Sequence, residues 1–183
     1  MSTLPDGCIL EYNKPFLNFL SNYIKENKIA NIFDYGCGEF SLLQHFNFNG
    51  LKYFGVDRDS KIIENNDINH RKSNIKFFCE DITKYTIEKP CDLIIIKDVF
   101  AHMPNHSILQ TLFNLRKYSK ILVVTDFSSI NTETSDGGYR GVNLNIWPYY
   151  ANADLLLEYK CNNTVKKCML IDGKKMFPDC VLN

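Results

Sequence analysis

One short stretch, residues 31–46, constrains the fold of this chain more than any other, because it joins a buried strand to a tight glycine turn. Its sequence, NIFDYGCGEFSLLQHF, runs from apolar strand residues through Gly36, Cys37 and Gly38 into a helix predicted over 39–46. Such a turn brings bare main-chain N–H groups to the carboxyl end of a sheet, where they bind anionic or nucleotide-like groups. A Cβ at either glycine would occupy the space that the ligand needs. The stretch therefore predicts a nucleotide-binding α/β domain.

The length and charge of the chain limit what else it can be. Its 183 residues, 45% of them hydrophobic, suffice for one domain with a core and argue against disorder. Basic and acidic residues number 21 each, so nucleic acid is not an expected partner. Seven cysteines, none spaced C-x-x-C, predict reduced thiols rather than a zinc site or disulfides. With no secretory signal and no membrane-spanning apolar run, we expect a reducing, cytoplasmic location and no membrane partner.

Downstream of the glycine turn, short apolar runs alternate with helical patterns. Strands are predicted at 31–35, 52–57, 75–79, 92–97 and 120–125, and helices at 39–46, 60–66 and 106–117. The first helix is predicted to start at Asn13 as its cap, with Tyr12 and Lys14 as candidate lid residues. The alternation indicates right-handed β-α-β units and a parallel sheet. Residues 155–161 and 165–172 then predict a β-hairpin.

Two classes of nucleotide cofactor fit the glycine turn. A dinucleotide-binding fold requires G-x-G-x-x-G, but Ser41 stands at the third position. Asp57 ends the second strand, where a carboxylate accepts hydrogen bonds from ribose hydroxyls in either class. These two signals alone leave the cofactor open.

Three motifs and the hairpin, in order and at matching spacing, resemble class I S-adenosylmethionine-dependent methyltransferases. IFDYGCGEF resembles the first motif of that family, FCEDIT (78–83) the third, and DLIIIKDVFAHMPN (92–105) the fourth strand with its loop. The likeness extends over residues 30–172 and is closer to a small bacterial and viral branch with the motifs KDVLQHLPN and GG(W/Y)RPLNL. One departure is Phe40, which stands where many members have glycine.

The resemblance implies a Rossmann-like α/β fold: a seven-stranded, mostly parallel sheet with an antiparallel last strand and helices on both faces. It implies one methyltransferase domain over 1–183, divided into an N-terminal helix and lid (1–30), a cofactor-binding core (31–127), an acceptor loop (128–150), and a terminal hairpin and tail (151–183). The loop is polar, glycine-containing and aperiodic, as long functional loops are.

The implied cofactor is S-adenosyl-L-methionine, and the implied acceptor is an oxygen or nitrogen of a small molecule or glycan unit, for example a sugar nucleotide. One alternative is a non-catalytic S-adenosylmethionine-binding accessory subunit, and another is an RNA or protein methyltransferase. A nicotinamide-dependent oxidoreductase is disfavoured by the missing third glycine. The sequence does not predict an oligomeric state.

The resemblance assigns donor-binding roles to residues at the strand ends. Asp57 would accept hydrogen bonds from the ribose, and Asp81 would meet the adenine amino group. Asp34 would face the methionine ammonium or else hydrogen-bond the main chain of the turn. Arg58 would cover the adenine or else point into solvent. The full predicted donor site is Asp34, Gly36, Cys37 (through its main chain), Gly38, Asp57, Arg58, Asp81, Ile82 and Lys97 (through nearby carbonyls).

Three residues are predicted to be catalytic: His102, Asp98 and Arg140. His102 is the candidate general base, because imidazole titrates near neutral pH, or else it packs at the head of the next helix. Asp98 either orients a substrate hydroxyl or hydrogen-bonds the amides of its own loop. Arg140 either clamps an anionic group of the acceptor or pairs with Asp126 or Asp136.

The predicted substrate contacts are Asp126, Tyr139 and Arg140. Asp126 ends the fifth strand at the same sheet edge as Asp98, and two such carboxylates suit Mg²⁺. A third oxygen ligand is missing, because Phe127 stands where catechol-type enzymes have an amide, so no metal is predicted. The aromatic run 147–150 either stacks on a ring of the acceptor or covers an edge of the core.

Overall fold

Seven strands form one sheet in the computed structural model, which describes residues 5–176. They are β1 (Asn31–Tyr35), β2 (Lys52–Asp57), β3 (Ile75–Cys79), β4 (Leu93–Lys97), β5 (Ile121–Asp126), β6 (Asp154–Cys161) and β7 (Thr164–Ile171). Their order across the sheet is β3-β2-β1-β4-β5-β7-β6. Neighbours from β3 to β5 pair in parallel, whereas β7 pairs antiparallel with both β5 and β6. The predicted fold class is confirmed.

Helices cover both faces of this sheet, because the central strands are apolar on both sides. The helices are α1 (Leu10–Glu26), α2 (Ser60–His70), α3 (Asn105–Leu115) and the short α4 (Gly173–Met176), with 3₁₀ turns at Asp6–Cys8, Leu43–His45 and Phe100–His102. Along β4, Ile94 and Ile96 pack in the same apolar cluster as α3. Leu93 and Ile95 point the other way, into the cluster that contains α1.

The chain after the glycine turn departs from the sequence prediction. No α-helix forms over 39–46, where the structure has only the 3₁₀ turn that begins at Leu43. Phe40 has a φ of +58°, which no residue of a right-handed helix adopts. Its buried ring lies 5.0 Å from the ring of Tyr53 and 5.3 Å from that of Phe77, centroid to centroid. Burial in this aromatic cluster therefore outweighs the local helical pattern.

The predicted cap at Asn13 is also wrong, because α1 already begins at Leu10. Asn13 is fully buried, and its side-chain amide donates to the main-chain carbonyls of Asp6 (2.9 Å) and Ile9 (2.8 Å). Its side-chain carbonyl accepts a hydrogen bond from the Tyr159 hydroxyl of β6 (3.0 Å). Asn13 therefore joins the start of the described chain to its last hairpin.

The segment between β5 and β6 contains neither helix nor strand, yet it covers the sheet as a crossover helix would. Val142, Leu144 and Tyr149 are buried in the same cluster as α3. Trp147 and Tyr150 face outward and are 65% and 63% exposed. The aromatic run is therefore divided, with one ring in the core and two on the surface.

The described part of the chain contains no disulfide, since its six cysteines are all free thiols; Cys180 lies outside that part. Burial raises the pKa of the Cys168 thiol to about 12, so it stays protonated in the core. Among residues 5–176, no helix has the length and apolarity needed to cross a bilayer.

Candidate active site

The carboxyl ends of the parallel strands open into a cleft that consists of two adjacent cavities. The larger, about 480 Å³, lies between the N-terminal turn 5–8, the glycine turn 36–38 and the ends of β4 and β5. The smaller, about 230 Å³, lies between the ends of β2 and β3 and residues 136–137. Both cavities are lined by Gly36, Asp98, Val99 and His102.

The two glycines of the turn serve different purposes. Gly36 has a φ of +77°, and a Cβ there would lie 2.4 Å from Cγ2 of Val99. The space beside Gly36 is therefore filled by protein, which corrects the expectation that a ligand needs it. Gly38 has a φ of +51°, and a Cβ there would have no protein atom within 4 Å. Gly38 is the residue that leaves an open approach to the main chain.

Asp57 links the turn to the end of β2. Its Oδ2 accepts from the main-chain N–H of Gly38 (3.0 Å), and its Oδ1 accepts from that of Asp59 (3.0 Å). Each oxygen retains a lone pair, so the carboxylate is able to accept two further hydrogen bonds in the smaller cavity that it lines. The Asp59 carboxylate caps α2, as its position before Ser60 predicts.

Asp34 lines the larger cavity and is only 5% exposed. Burial raises the pKa of this carboxyl to about 6, although the Tyr53 hydroxyl, which donates to it at 2.6 Å, and the nearby Lys97 ammonium oppose the shift. Within residues 5–176, no main-chain amide of the glycine turn donates to Asp34. The hydrogen bond from Tyr53 therefore holds the Asp34 carboxylate in the wall of the larger cavity.

The smaller cavity has polar and apolar walls. Asp81 accepts hydrogen bonds from the main-chain N–H (2.9 Å) and the hydroxyl (2.7 Å) of Thr83. Partial burial works against it, but these bonds keep the pKa of Asp81 below its usual value. Ile82 is a buried wall residue. Arg58 does not point freely into solvent: it forms a bidentate salt bridge with Asp136 (2.7 and 3.1 Å), and both residues line this cavity.

A network of charged side chains lies in the larger cavity. The Lys166 ammonium donates to Oδ1 of Asp98 (2.6 Å) and to Oδ2 of Asp126 (3.0 Å). The Lys97 ammonium donates to Oδ2 of Asp98 and to the main-chain carbonyl of Gly7 (2.7 Å). Asp98 therefore bonds two lysines and not the amides of its own loop, which was the alternative left by the sequence.

The protonation states of this network follow from its partners. Burial alone would raise the pKa of Asp126, but the Thr164 side chain, the Tyr139 hydroxyl (2.8 Å) and the Lys166 ammonium together outweigh it and lower that pKa. Burial likewise opposes the charge of Lys166, yet Asp98 and Asp126 together raise its pKa. The lysine and Asp126 are therefore both charged at neutral pH.

His102 is exposed in the cleft and is not packed at the head of α3. Its Nδ1 lies 2.7 Å from the main-chain carbonyl of Gly138, and its ring lies 5.5 Å from the ring of Tyr139. A carbonyl only accepts hydrogen bonds, so Nδ1 carries the hydrogen, and in neutral imidazole Nε2 retains its lone pair.

The prediction that Arg140 contacts the acceptor is corrected by its position. Its guanidinium is buried outside the cleft and donates to the carbonyls of Thr132 (2.5 Å) and Phe100 (3.1 Å), to Oδ1 of Asn105 (2.6 Å) and to the Tyr149 hydroxyl (3.0 Å). These four bonds use four of its five N–H donors, so Arg140 fixes the 128–150 segment against the loop after β4. The predicted partners Asp126 and Asp136 are bound elsewhere.

The sequence did not identify Lys166 or the N-terminal turn as parts of the cleft. Lys166 lies on β7 directly opposite Asp126 in the strand register. The sequence did contain a signal for Lys166, because this residue stands at an inward position of an alternating strand, where apolar residues are usual. The two candidate lid residues are corrected: Lys14 pairs with Glu11 in solvent and Tyr12 packs against the core, whereas residues 5–8 of the predicted lid region 1–30 line the cleft.

Comparisons with known proteins place this geometry in context. The sequence model of a family described as "Methyltransferase domain" matches residues 26–171. Among solved structures, PH0226 from Pyrococcus horikoshii OT3 matches with a TM-score of 0.65 at 18% identity, over 89% of each chain. The N-methyltransferase NodS from Bradyrhizobium japonicum WM9, solved with S-adenosyl-L-homocysteine, matches with a TM-score of 0.65 at 12% identity, over 87% of each chain.

TehB from Haemophilus influenzae also matches, with a TM-score of 0.63 at 15% identity; the match covers 85% of this chain and only 61% of TehB. At these identities the structural likeness establishes the fold alone. No curated protein sequence matches the chain.

Proposed function

The chain belongs to the methyltransferase-domain family, and from that premise we propose that it transfers the methyl group of S-adenosylmethionine to an oxygen or nitrogen of a small molecule or glycan unit. The enzyme class and the cofactor follow from the family. The acceptor and the residue roles below are our proposal. The observation that carries the proposal is His102, whose Nε2 is free at the junction of the two cavities.

The cleft fits the donor on two observations. The free space over Gly38 admits a ligand to the main chain, and the free lone pairs of Asp57 suit a ribose diol beside it. We assign the adenine to the smaller cavity, with Asp81 and Ile82, and the amino-acid part to the larger cavity, with Asp34. When bound, S-adenosylmethionine supplies an electrophilic methyl group on a sulfonium.

The residues around the junction then act on the acceptor. A hydroxyl or amine must lose a proton as its oxygen or nitrogen forms the new bond to carbon, and Nε2 of His102 takes that proton. The Gly138 carbonyl fixes the imidazole tautomer through Nδ1, and Tyr139 supports the ring. His102 is in this proposal the general base, and Asp98, Asp126 and Tyr139 hold the acceptor in line.

The charges of the larger cavity support an acceptor that enters as an uncharged hydroxyl or amine. Its two lysines, Lys97 and Lys166, are both paired with carboxylates. The charges of both lysines are therefore already balanced by carboxylates, and Arg140 is buried elsewhere. If the acceptor is a sugar nucleotide, its phosphates therefore lie outside this cavity.

Two measurements test the proposal. Calorimetric titration with S-adenosylhomocysteine and, separately, with NAD should show binding of the first alone; binding of NAD alone would end the proposal. Methyl transfer from labelled donor should then be measured with amines, phenols, sugar nucleotides, carboxylic acids and RNA. We expect transfer to a hydroxyl or amine of a small acceptor, lost in His102→Ala. Transfer to RNA alone would contradict the proposed acceptor class.

A second candidate function is that of an S-adenosylmethionine-binding accessory subunit. The exposure of Trp147 and Tyr150 favours it, because exposed aromatic residues are typical of protein interfaces. In that case S-adenosylhomocysteine would bind, but no acceptor of the panel would be methylated by the isolated chain.

A further inference from the structure

Two carboxylates from neighbouring parallel strands face the same cavity. Asp98 follows β4 directly and Asp126 ends β5, and both line the larger half of the cleft. Carboxylates that converge in this way repel one another and are commonly bridged by Mg²⁺ or Mn²⁺. Within this pair, however, the bridging position belongs to a side chain of the protein.

That side chain is Lys166, which is 3% exposed. Its ammonium lies 2.6 Å from Oδ1 of Asp98 and 3.0 Å from Oδ2 of Asp126, so one cation bonds both carboxylates. The register of the antiparallel pair β5–β7 places Lys166 opposite Asp126, so the sheet itself fixes the arrangement. The neighbouring Lys167 lies on the other face of β7, where it pairs with Glu158 (3.5 Å).

We propose that Lys166 is a positioning residue that takes the place of a divalent metal ion between Asp98 and Asp126. This inference rests on the proposed function, since it concerns how the side chains of the acceptor half of the cleft are held in position. The ammonium offsets the mutual repulsion of the two carboxylates and fixes their direction. Through Asp126 it also fixes Tyr139, which contacts the His102 ring.

The arrangement has two consequences. First, the acceptor half of the cleft is held without a divalent cation, because an ammonium and a metal ion are mutually exclusive between these oxygens. Second, removing the ammonium leaves two partly buried carboxylates with Lys97 as the one lysine still paired to them, so one negative charge is unbalanced. These carboxylates should then bind a divalent cation. If Lys166 only stabilised the fold, no such gain of metal binding would be expected.

The test is to titrate the wild type and its variants with Mn²⁺ and to measure binding by calorimetry and electron paramagnetic resonance. Lys166→Ala should bind Mn²⁺ at least about tenfold more tightly than wild type, because Asp126 loses its lysine and Asp98 keeps only Lys97. Lys166→Arg retains a cation and should behave like wild type, as should the matched control Lys167→Ala. The double variant Lys166→Ala/Asp126→Asn should lose the gained binding. Circular dichroism checks folding, and Lys166→Gln replaces the alanine variant if that does not fold.

Two results would overturn the inference. One is wild-type Mn²⁺ binding that disappears in Asp126→Asn, which would show that a metal and Lys166 coexist. The other is a folded Lys166 variant that binds Mn²⁺ no better than wild type. S-adenosylhomocysteine titration of the same proteins separates the two proposals. Failure of wild type to bind it counts against the proposed function, whereas retained binding with no gain of Mn²⁺ counts against this inference alone.

Discussion

Ligand binding should be linked to the protonation of Asp34, because this buried carboxyl has a pKa of about 6 and faces the proposed site of the methionine ammonium. An ammonium binds the ionised carboxylate. Below pH 6 the site must first release a proton, so affinity for S-adenosylhomocysteine should fall by about tenfold per pH unit, and above pH 6 it should be constant. At pH 6 about half a proton should be released per site, and at pH 8 about none.

The cost of ionising Asp34 sets the size of the effect. A rise of its pKa from 3.8 to about 6 means that the ionised form costs the fold about 3 kcal/mol above pH 6, a cost that is absent below pH 3.8, where the group is protonated in both states. A ligand ammonium offsets part of this cost. Tyr53→Phe removes the hydroxyl that stabilises the carboxylate, so the break in the affinity profile should move up by about one pH unit.

The assay is calorimetry in pairs of buffers with different ionisation enthalpies, from pH 5 to 8, which counts released protons directly. Asp34→Asn should release none and bind more weakly, whereas His102→Gln should release as many as wild type, since the imidazole is not assigned to the donor. A wild-type proton count that stays at zero across this range would refute the reasoning, and so would an unchanged profile in Asp34→Asn.

Three further perturbations address the donor site, the base and the long segment. Asp57→Ala should weaken S-adenosylhomocysteine binding by about tenfold or more by calorimetry, whereas Asp59→Ala, which removes only the cap of α2, should not; equal losses would remove Asp57 from the donor site. His102→Ala should abolish methyl transfer while donor affinity is spared, and an unchanged rate would exclude it as the base. Arg140→Met should lower the free energy of unfolding by about 3 kcal/mol or more in urea denaturation, because it leaves buried carbonyls unpaired. The exposed Arg58→Met should cost about 1 kcal/mol or less, and equal costs would contradict the structural role of Arg140.

The centre of the sheet was predictable from sequence because β1, β2, β4 and β5 are short apolar runs whose burial on both faces leaves few alternatives. Every predicted strand lies within one residue of its observed bounds, including the hairpin. The helix expected over 39–46 failed because periodicity describes local preference, whereas Phe40 is placed by rings that come from β2 and β3. Long-range packing of this kind has no signature in a short window of sequence.

Prediction of the candidate site likewise succeeded where local sequence is sufficient and failed where long-range packing decides. Residues at strand ends, such as Asp57 and Asp98, were located because the carboxyl ends of parallel strands meet at one edge. The role of Arg140 was misjudged because sequence does not show whether a guanidinium faces solvent or unpaired carbonyls. Lys166 was missed because its partner Asp126 is set by an antiparallel register that only the assembled sheet defines.

The hydrogen bonds between Asn13 and Tyr159 and between Asp6 and Asn162 have a consequence for the order of assembly during synthesis. The N-terminal turn and the start of α1 find these two partners in a hairpin that is synthesised after β5, and Gly7 finds a third in Lys97. Until that hairpin has left the ribosome, the strands from β1 to β5 can pair, but the N-terminal turn lacks its hairpin partners and Lys166 is not yet in place. A nascent chain halted before β6 would therefore have the glycine turn but lack Lys166 and the hairpin partners of the N-terminal turn, and full donor affinity should appear only once the hairpin has paired with β5.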